Sequence, residues 1–598
     1  MARLIFLLCL CYAGIASSAE LSTIAERTDY VETGRYNEVE TLCAAYESEF
    51  PNRVKCHNFG TTPQGRPMLA LVASDDQTFS PELVKQRKRP VMFAQGGIHA
   101  GEIDGKDAGF RVLRDLLEGK LLVGALSKLT FVFVPVFNID GHERFSAFHR
   151  PNQNGPKEMG FRATAQNYNL NRDYMKADAP EMRAMLKFLW SYDPAIYADL
   201  HVTDGAQFQH DISITMEPTH MQDERIQEIG RAIRKRTVAD LNAKGAKGLE
   251  FYPDFLKEDD PSSGFAVGTP PPRFSTGYWG TRGRFGVLVE THSWKDYKTR
   301  VQRTYDALVS LLDQCASQGA SWLSEFATAE ERERHLAGKS VALSLKNTPH
   351  KTTIDFLGYA YAKPSSPISG ALQIRYDTSN PEVWHIPLFD MLTPDVIAIV
   401  PRIAYVVAPE WADVVAERLA LHKIEFSRVE QPIKVTTSQF RAKSWKFADK
   451  SFEGRQLVTS LEGAWEKGPA LVDKGALFIP ISQPKARLLM ALVEPQAPDS
   501  FAAWGDFNTV LEQKEYIESY VLEPLAEKML ADNASLASEF EHKLSTDSKF
   551  KSDPQKRRDF FYNRSPYRDT HVGVYPILRV EALTLPVSPA QSAVPSQG

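Results

Sequence analysis

Cysteine is scarce in this chain, with five in 598 residues. Cys9 and Cys11 fall in an N-terminal apolar stretch, which leaves Cys43, Cys56 and Cys315. Three cysteines in so long a chain do not make a disulfide scaffold, and they lack zinc-ligand spacing, so a bound metal would rest on histidine and carboxylates. Cys43 and Cys56 could pair in an oxidising compartment, leaving Cys315 odd. An excess of one charge is also missing. The net charge is −5 with both signs spread along the chain, and no strongly basic patch stands out, which excludes a nucleic-acid surface. Beyond the N-terminus no apolar run approaches the roughly 20 residues that a membrane span needs, so no stable membrane span is expected. No internal repeat is present.

What remains is the composition of a large globular protein: 43% hydrophobic and 24% charged residues, enough for a sizeable core. The length is a soft argument for two to four domains. The first residues, "MARLIFLLCLCYAGIASSAELS", place Arg3 before an apolar run from Leu4 to Ala13, then the small residues Ala16, Ser17, Ser18 and Ala19. This is the pattern of a secretory signal, 1–19, cleaved after Ala19. The expected location is therefore exported, periplasmic or extracellular.

From 20 to 325 short apolar runs alternate with amphipathic segments. "RPVMFAQ" (89–95), "LTFVFVPVF" (129–137), "AIYADL" (195–200) and "FGVLVE" (285–290) read as buried strands. Segments 106–119 and 179–192 carry helical periodicity between them. The alternation predicts an α/β fold with a mixed, largely parallel central sheet flanked by helices. Two stretches rich in Gly, Pro, Asn and Ser, 141–170 and 250–284, read as binding loops. A charged linker helix is expected at 326–345. An accessory α/β region follows at 346–580, with its own βαβ-like unit at 403–429, and then a disordered tail at 581–598.

Ligands of open α/β sheets gather at the carboxyl ends of the strands. There the first strand is followed by His99 and Glu102, the third runs into His201, and the fourth closes on Glu290. A catalytic zinc typically takes three protein ligands from His and Glu and leaves one position open. His99, Glu102 and His201 supply that number and mixture, for one Zn2+ per chain. Glu290 can then act as general base toward water. His142, His149, His210 and His292 lie near strand ends or loops and compete as ligands, His292 most credibly.

The ordered set "HAGE" (99–102), "PVFNIDG" (135–141), "GFRATAQNYNLNRDY" (160–174), "DLH" (199–201) and "VET" (289–291) resembles the zinc carboxypeptidases of the metallocarboxypeptidase type, over residues 20–325. The resemblance implies a zinc carboxypeptidase-like fold, peptide hydrolysis and further roles. Asn171 and Arg172 match the pair that holds the substrate's terminal carboxylate, a task suited to the planar guanidinium. Arg162 matches the arginine that stabilises the oxyanion, with Arg150 as competitor. Asn169 stands where relatives commonly carry an Asp that orients a zinc-bound His, so the charge that raises ligand basicity is absent there. For the mobile tyrosine that covers substrate, Tyr278 is the nearest candidate in sequence.

The leading expectation is an exported zinc carboxypeptidase acting on peptides with a free C-terminal carboxylate. One alternative keeps the chemistry on N-acyl amino acids or peptidoglycan stem peptides. Another is a non-catalytic binding protein on the same fold. Asp211 and Glu217 are charged candidates for the pocket that would set side-chain preference.

Overall fold

The computed structural model describes residues 21–583. The expected signal segment lies outside the described residues, as does the expected tail from 584 onward. The core of the first region is an eight-stranded sheet. Its strands are β1 (Val54–Thr61), β2 (Pro67–Ala73), β3 (Val91–Gly96), β4 (Thr130–Val134), β5 (Ile196–Thr203), β6 (Ile212–Glu217) and β7 (Gly248–Leu249). The two-residue strand β8 (Phe265–Ala266) stands apart, and β9 (Phe285–His292) completes the sheet. The spatial order is β1-β2-β4-β3-β5-β9-β6-β7. The four central strands, β4, β3, β5 and β9, run parallel, whereas β1, β2 and β6 make antiparallel contacts at the flanks.

Continuous apolar sequence explains the parallel centre. Every residue of β3, β4 and β5 is buried, as expected for strands covered on both faces. Helix Asp104–Leu117 crosses from β3 to β4, and helix Pro180–Tyr192 lies between β4 and β5. The first of these packs tightly. A Cβ at Gly109 would come within 2.2 Å of the Phe133 ring, so glycine is required at that crossing. All four parallel strands end on the same edge, and the loops that leave that edge build the site.

A 37-residue helix, Tyr297–Glu333, packs against helix Asp104–Leu117. Residues 326–333, the expected start of a linker helix, simply continue it. Val301, Leu308, Leu312, Trp322 and Phe326 keep one face buried throughout, so no break is needed at 326.

The second region is richer in strand than its sequence suggests. A long hairpin, Thr352–Ala362 with Arg375–Phe389, joins the first region by pairing Leu388 with Phe265 and Phe389 with Ala266 of β8. Phe208, Leu249 and Phe265 pack with Phe356, Trp384, Ile386 and Leu388 in a shared apolar cluster. A six-stranded sheet follows, with every neighbouring pair antiparallel. The unit at 403–429 does run strand, helix, strand. However, Ala404–Val407 and Ser427–Arg428 are not neighbours, because Leu477–Pro480 lies between them. The last strand, Val574–Leu583, carries sheet structure through 581–583, the first residues of the expected tail.

Candidate active site

The turn after β3 begins at Gly97, whose φ of 61° suits glycine. The Glu102 N–H donates to the His99 carbonyl at 2.9 Å, which brings both side chains to one point. Gly101, between them, has no room for a side chain: a Cβ there would lie 2.6 Å from Arg150 Cγ and 2.7 Å from the Gly160 carbonyl. His201 and Glu290 are register partners on adjacent parallel strands. Four residues separated by up to 191 positions thus meet at one strand edge, all buried.

Glu102 bridges the two imidazoles. Its Oε1 lies 3.0 Å from His99 Nδ1 and its Oε2 lies 2.9 Å from His201 Nδ1. One ligand atom from each of His99, Glu102 and His201 lies within 4.8 Å of the others. Both rings turn Nδ1 inward and Nε2 outward. His99 Nε2 is 3.2 Å from Asn169 Oδ1, and His201 Nε2 is 2.8 Å from Asp199 Oδ2. An outer acceptor on Nε2 leaves the Nδ1 lone pair free for a metal. The sequence reading missed Asp199. The signal was present, because residues i and i+2 of a strand share a face.

Electrostatics fit a cation as well. Burial pushes the His99 pKa down to about 4, which keeps the imidazole in its neutral, ligating form. Burial opposes charge on Glu102 too, but Arg150 and His99 outweigh it and hold the carboxyl well below the usual range. For His201, Asp199 and Glu102 outweigh burial and raise the pKa. Burial lifts Glu290 to about 8; His201 opposes the rise, and the carboxylates of Glu102, Asp199 and Asp204 add to it. Its Oε2 is buried without a hydrogen-bond partner among the described residues. A His2Glu donor set, an orphaned carboxylate oxygen and a local excess of acid together suit a divalent cation.

These groups open on a cavity of about 510 Å³ that also contains Arg162, Asn171, Arg172 and Tyr252. Arg162 is partly exposed there, with Nη1 3.5 Å from Glu102 Oε1. Arg150 is more deeply placed, between Glu102 Oε1 at 3.0 Å and Asp204 Oδ1 at 3.1 Å, and does not line the cavity. Asn171 Oδ1 accepts the Ser275 N–H at 3.2 Å, which fixes that amide and leaves its NH2 group for a ligand. The Arg172 guanidinium stacks 4.2 Å above Phe274 and donates to the Asn171 carbonyl at 2.8 Å. Burial, with Arg162 nearby, lowers its pKa to about 10, which still leaves it charged at neutral pH.

Tyr278 does not reach the cavity. It lies on the helix Ser275–Thr281 with no exposed surface, and its hydroxyl bonds Trp190 Nε1 and His422 Nδ1, both at 2.8 Å. A ring locked in this way cannot swing over a substrate. Tyr252 occupies the cavity wall instead, 37% exposed, with its hydroxyl 3.4 Å from Thr203 Oγ1. Burial, with Glu290 close by, raises its pKa. The competing histidines serve the frame. His292 stacks on Phe208 at 3.8 Å, His142 contacts the carbonyls of Ala100 and Gly34, and His210 accepts the Leu357 N–H. His149 lies against the Met159 carbonyl. Of the two acidic pocket candidates, Asp211 is engaged by the Lys247 N–H and Lys295, and only Glu217 lines the cavity.

Residues 39–246 match the zinc carboxypeptidase family. Through this segment the chain is similar to the zinc carboxypeptidases. The matched segment includes the donor set, Arg162, Asn171 and Arg172, and stops short of Glu290. Carboxypeptidase 2 of Trichophyton tonsurans is 22% identical over 457 residues, covering 73% of this chain and 77% of the relative. The same-named protein of Trichophyton equinum shows the same identity and coverage. That span exceeds residues 20–325, so the likeness runs into the second region. Among solved structures, the carboxypeptidase A of Helicoverpa armigera is 15% identical, with a TM-score of 0.37, covering 49% of this chain and 74% of its own. Thrombin-activatable fibrinolysis inhibitor is 14% identical, with a TM-score of 0.37, covering 50% of this chain and 81% of its own. The protein is a zinc metallocarboxypeptidase, a hydrolase of peptide bonds. No helix among the described residues is long and apolar enough to cross a membrane.

Proposed function

We propose that this carboxypeptidase removes residues one at a time from the free C-terminus of exported or environmental peptides, with Glu290 as its general base. One observation supports the reading: Asn171 and Arg172, a His2Glu donor set and an unpartnered buried glutamate share a single cavity. His99, Glu102 and His201 hold the zinc. When bound, the metal supplies a Lewis acid that polarises the scissile carbonyl and makes water more acidic.

The protein's own groups do the rest. Arg172, backed by Phe274, and the Asn171 amide bind the terminal carboxylate and so select the last residue. Glu290 accepts a proton from the attacking water and returns it to the leaving amine. Arg162 faces the oxygen on which negative charge develops. Tyr252, rather than Tyr278, is placed to cover the bound residue and limit water around it. The fixed outer partners of His99 and His201 keep both rings aimed while substrate enters.

The joined Cys43 and Cys56 support export, since such bonds persist in oxidising compartments. The secretory pattern of residues 1–19 points the same way. Digesting a peptide library and reading the products by mass spectrometry tests the proposal. Ladders shortened by single C-terminal residues are expected. Internal cleavage, or activity confined to N-acyl amino acids or peptidoglycan stem peptides, would overturn it.

A further inference from the structure

Nearly 300 residues beyond the clamp, the second region sends a tight turn back to the active site. Phe452 and Arg455 pair across it, and the two residues between them, Glu453 and Gly454, both have positive φ, 49° and 77°. This is a primed two-residue turn, which glycine suits at both central positions and glutamate does not. Both flanks of the turn are held. The Phe452 ring stacks with Trp504 at 6.1 Å. Arg455 reaches Asp178 through Nε at 3.0 Å and Nη2 at 2.6 Å, and Asp506 through Nη1 at 3.0 Å.

The turn delivers one contact to the site: Glu453 Oε2 accepts the backbone N–H of Asn169 at 3.1 Å. Asn169 is the point from which both functional halves are held. Its Oδ1 faces His99 Nε2 at 3.2 Å and accepts the Asn171 N–H at 3.1 Å, which caps the single helical turn Leu170–Arg172. Arg172 feels the same carboxylate, since Glu453 favours its charged form against burial and the repulsion of Arg162 and Arg273. A non-glycine residue kept in a disfavoured backbone conformation, with its carboxylate on the hub of a site, is a pattern that function retains.

Building on the carboxypeptidase reading, we infer that Glu453 is a positioning residue supplied by the second region, acting through Asn169 on both the metal ligand His99 and the Asn171–Arg172 clamp. On this view the second region completes the site. Glu453 thus holds the backbone from which the Asn169 side chain reaches His99.

Full-length, zinc-loaded Glu453→Gly and Glu453→Gln variants test this. Glycine suits the turn, so E453G should melt no lower than the parent. It should nevertheless raise KM for a peptide with a free C-terminus and speed zinc loss to a chromophoric chelator, each by about tenfold, the low end of the range for outer partners of metal ligands. E453Q keeps an acceptor and should show a smaller shift of both in the same direction. Parental KM and zinc-loss rates in E453G would overturn the inference and leave Glu453 as a turn residue only. If the parent itself fails to hydrolyse free-carboxylate peptides, the carboxypeptidase reading fails, while the zinc-loss rate still decides the role of Glu453.

Discussion

The two imidazoles of the site are held in different ways. His201 belongs to a central strand, pairs in register with Glu290, and has the carboxylate of Asp199 from its own strand 2.8 Å from Nε2. His99 belongs to a turn, and its outer partner is the neutral amide of Asn169, on a loop whose backbone leans on Glu453 of the second region. One side is built by the sheet alone, whereas the other is assembled from two regions of the chain. The outer partner on the sheet side is therefore charged and comes from the sheet itself. The loop side is where His99 and the proposed Asn171–Arg172 clamp share one support, Asn169.

The largest effect should come from the sheet side. Glu290→Gln is expected to lower kcat by about 100- to 10,000-fold, the usual worth of a positioned general base, while zinc content stays at one per chain. Zinc analysis beside steady-state kinetics checks both halves of that statement. Asp199→Asn removes the charged partner of His201 and should weaken zinc binding by about 10- to 100-fold. Asn169→Ala, on the uncharged side, should weaken it less. Competition against a chelator of known affinity ranks the two, and the reverse order would break the comparison.

On the loop side, Arg172→Ala should raise KM for free-carboxylate peptides by about 10- to 100-fold, the cost of one charge-assisted hydrogen bond, and leave amidated peptides unaffected. The smallest effect expected is at the junction of the two regions. Burial opposes charge on Asp178, but Arg455 and its other cationic neighbours outweigh it and lower the pKa from 3.8. A carboxylate with a depressed folded-state pKa stabilises the fold above its unfolded pKa and loses that contribution as pH falls through the folded one. Asp178→Asn should therefore cost about 1 kcal/mol at pH 7, after allowing for solvent screening, and progressively less below pH 3.8. Thermal melts at pH 7 and pH 3 read the difference.

The sheet side was also the legible side. Unbroken apolar runs mark the parallel strands, and the rule that ligands gather at their carboxyl ends brings His99, Glu102, His201 and Glu290 together from sequence alone. Arg172 follows only from the family resemblance, since without it an Arg beside Asp173 reads as a surface ion pair. Tyr278 was misplaced because counting back from Glu290 ignores that Ser275–Thr281 forms a helix packed under Trp190 and His422. Tyr252 sits in an irregular loop whose path is set by the aromatic cluster with the hairpin at 352–389, and local sequence carries no trace of that packing. Glu453 was out of reach for the same reason: its partner lies 284 residues away.

The central claim is that the cavity reads a free terminal carboxylate beside a zinc site. Its most direct test is kcat/KM of the zinc-loaded protein on two peptides identical except for a free or an amidated C-terminus. The account predicts that amidation lowers kcat/KM by about 100-fold or more, the loss of charge-assisted bonds to Arg172 and Asn171. Equal values for the two peptides would contradict it.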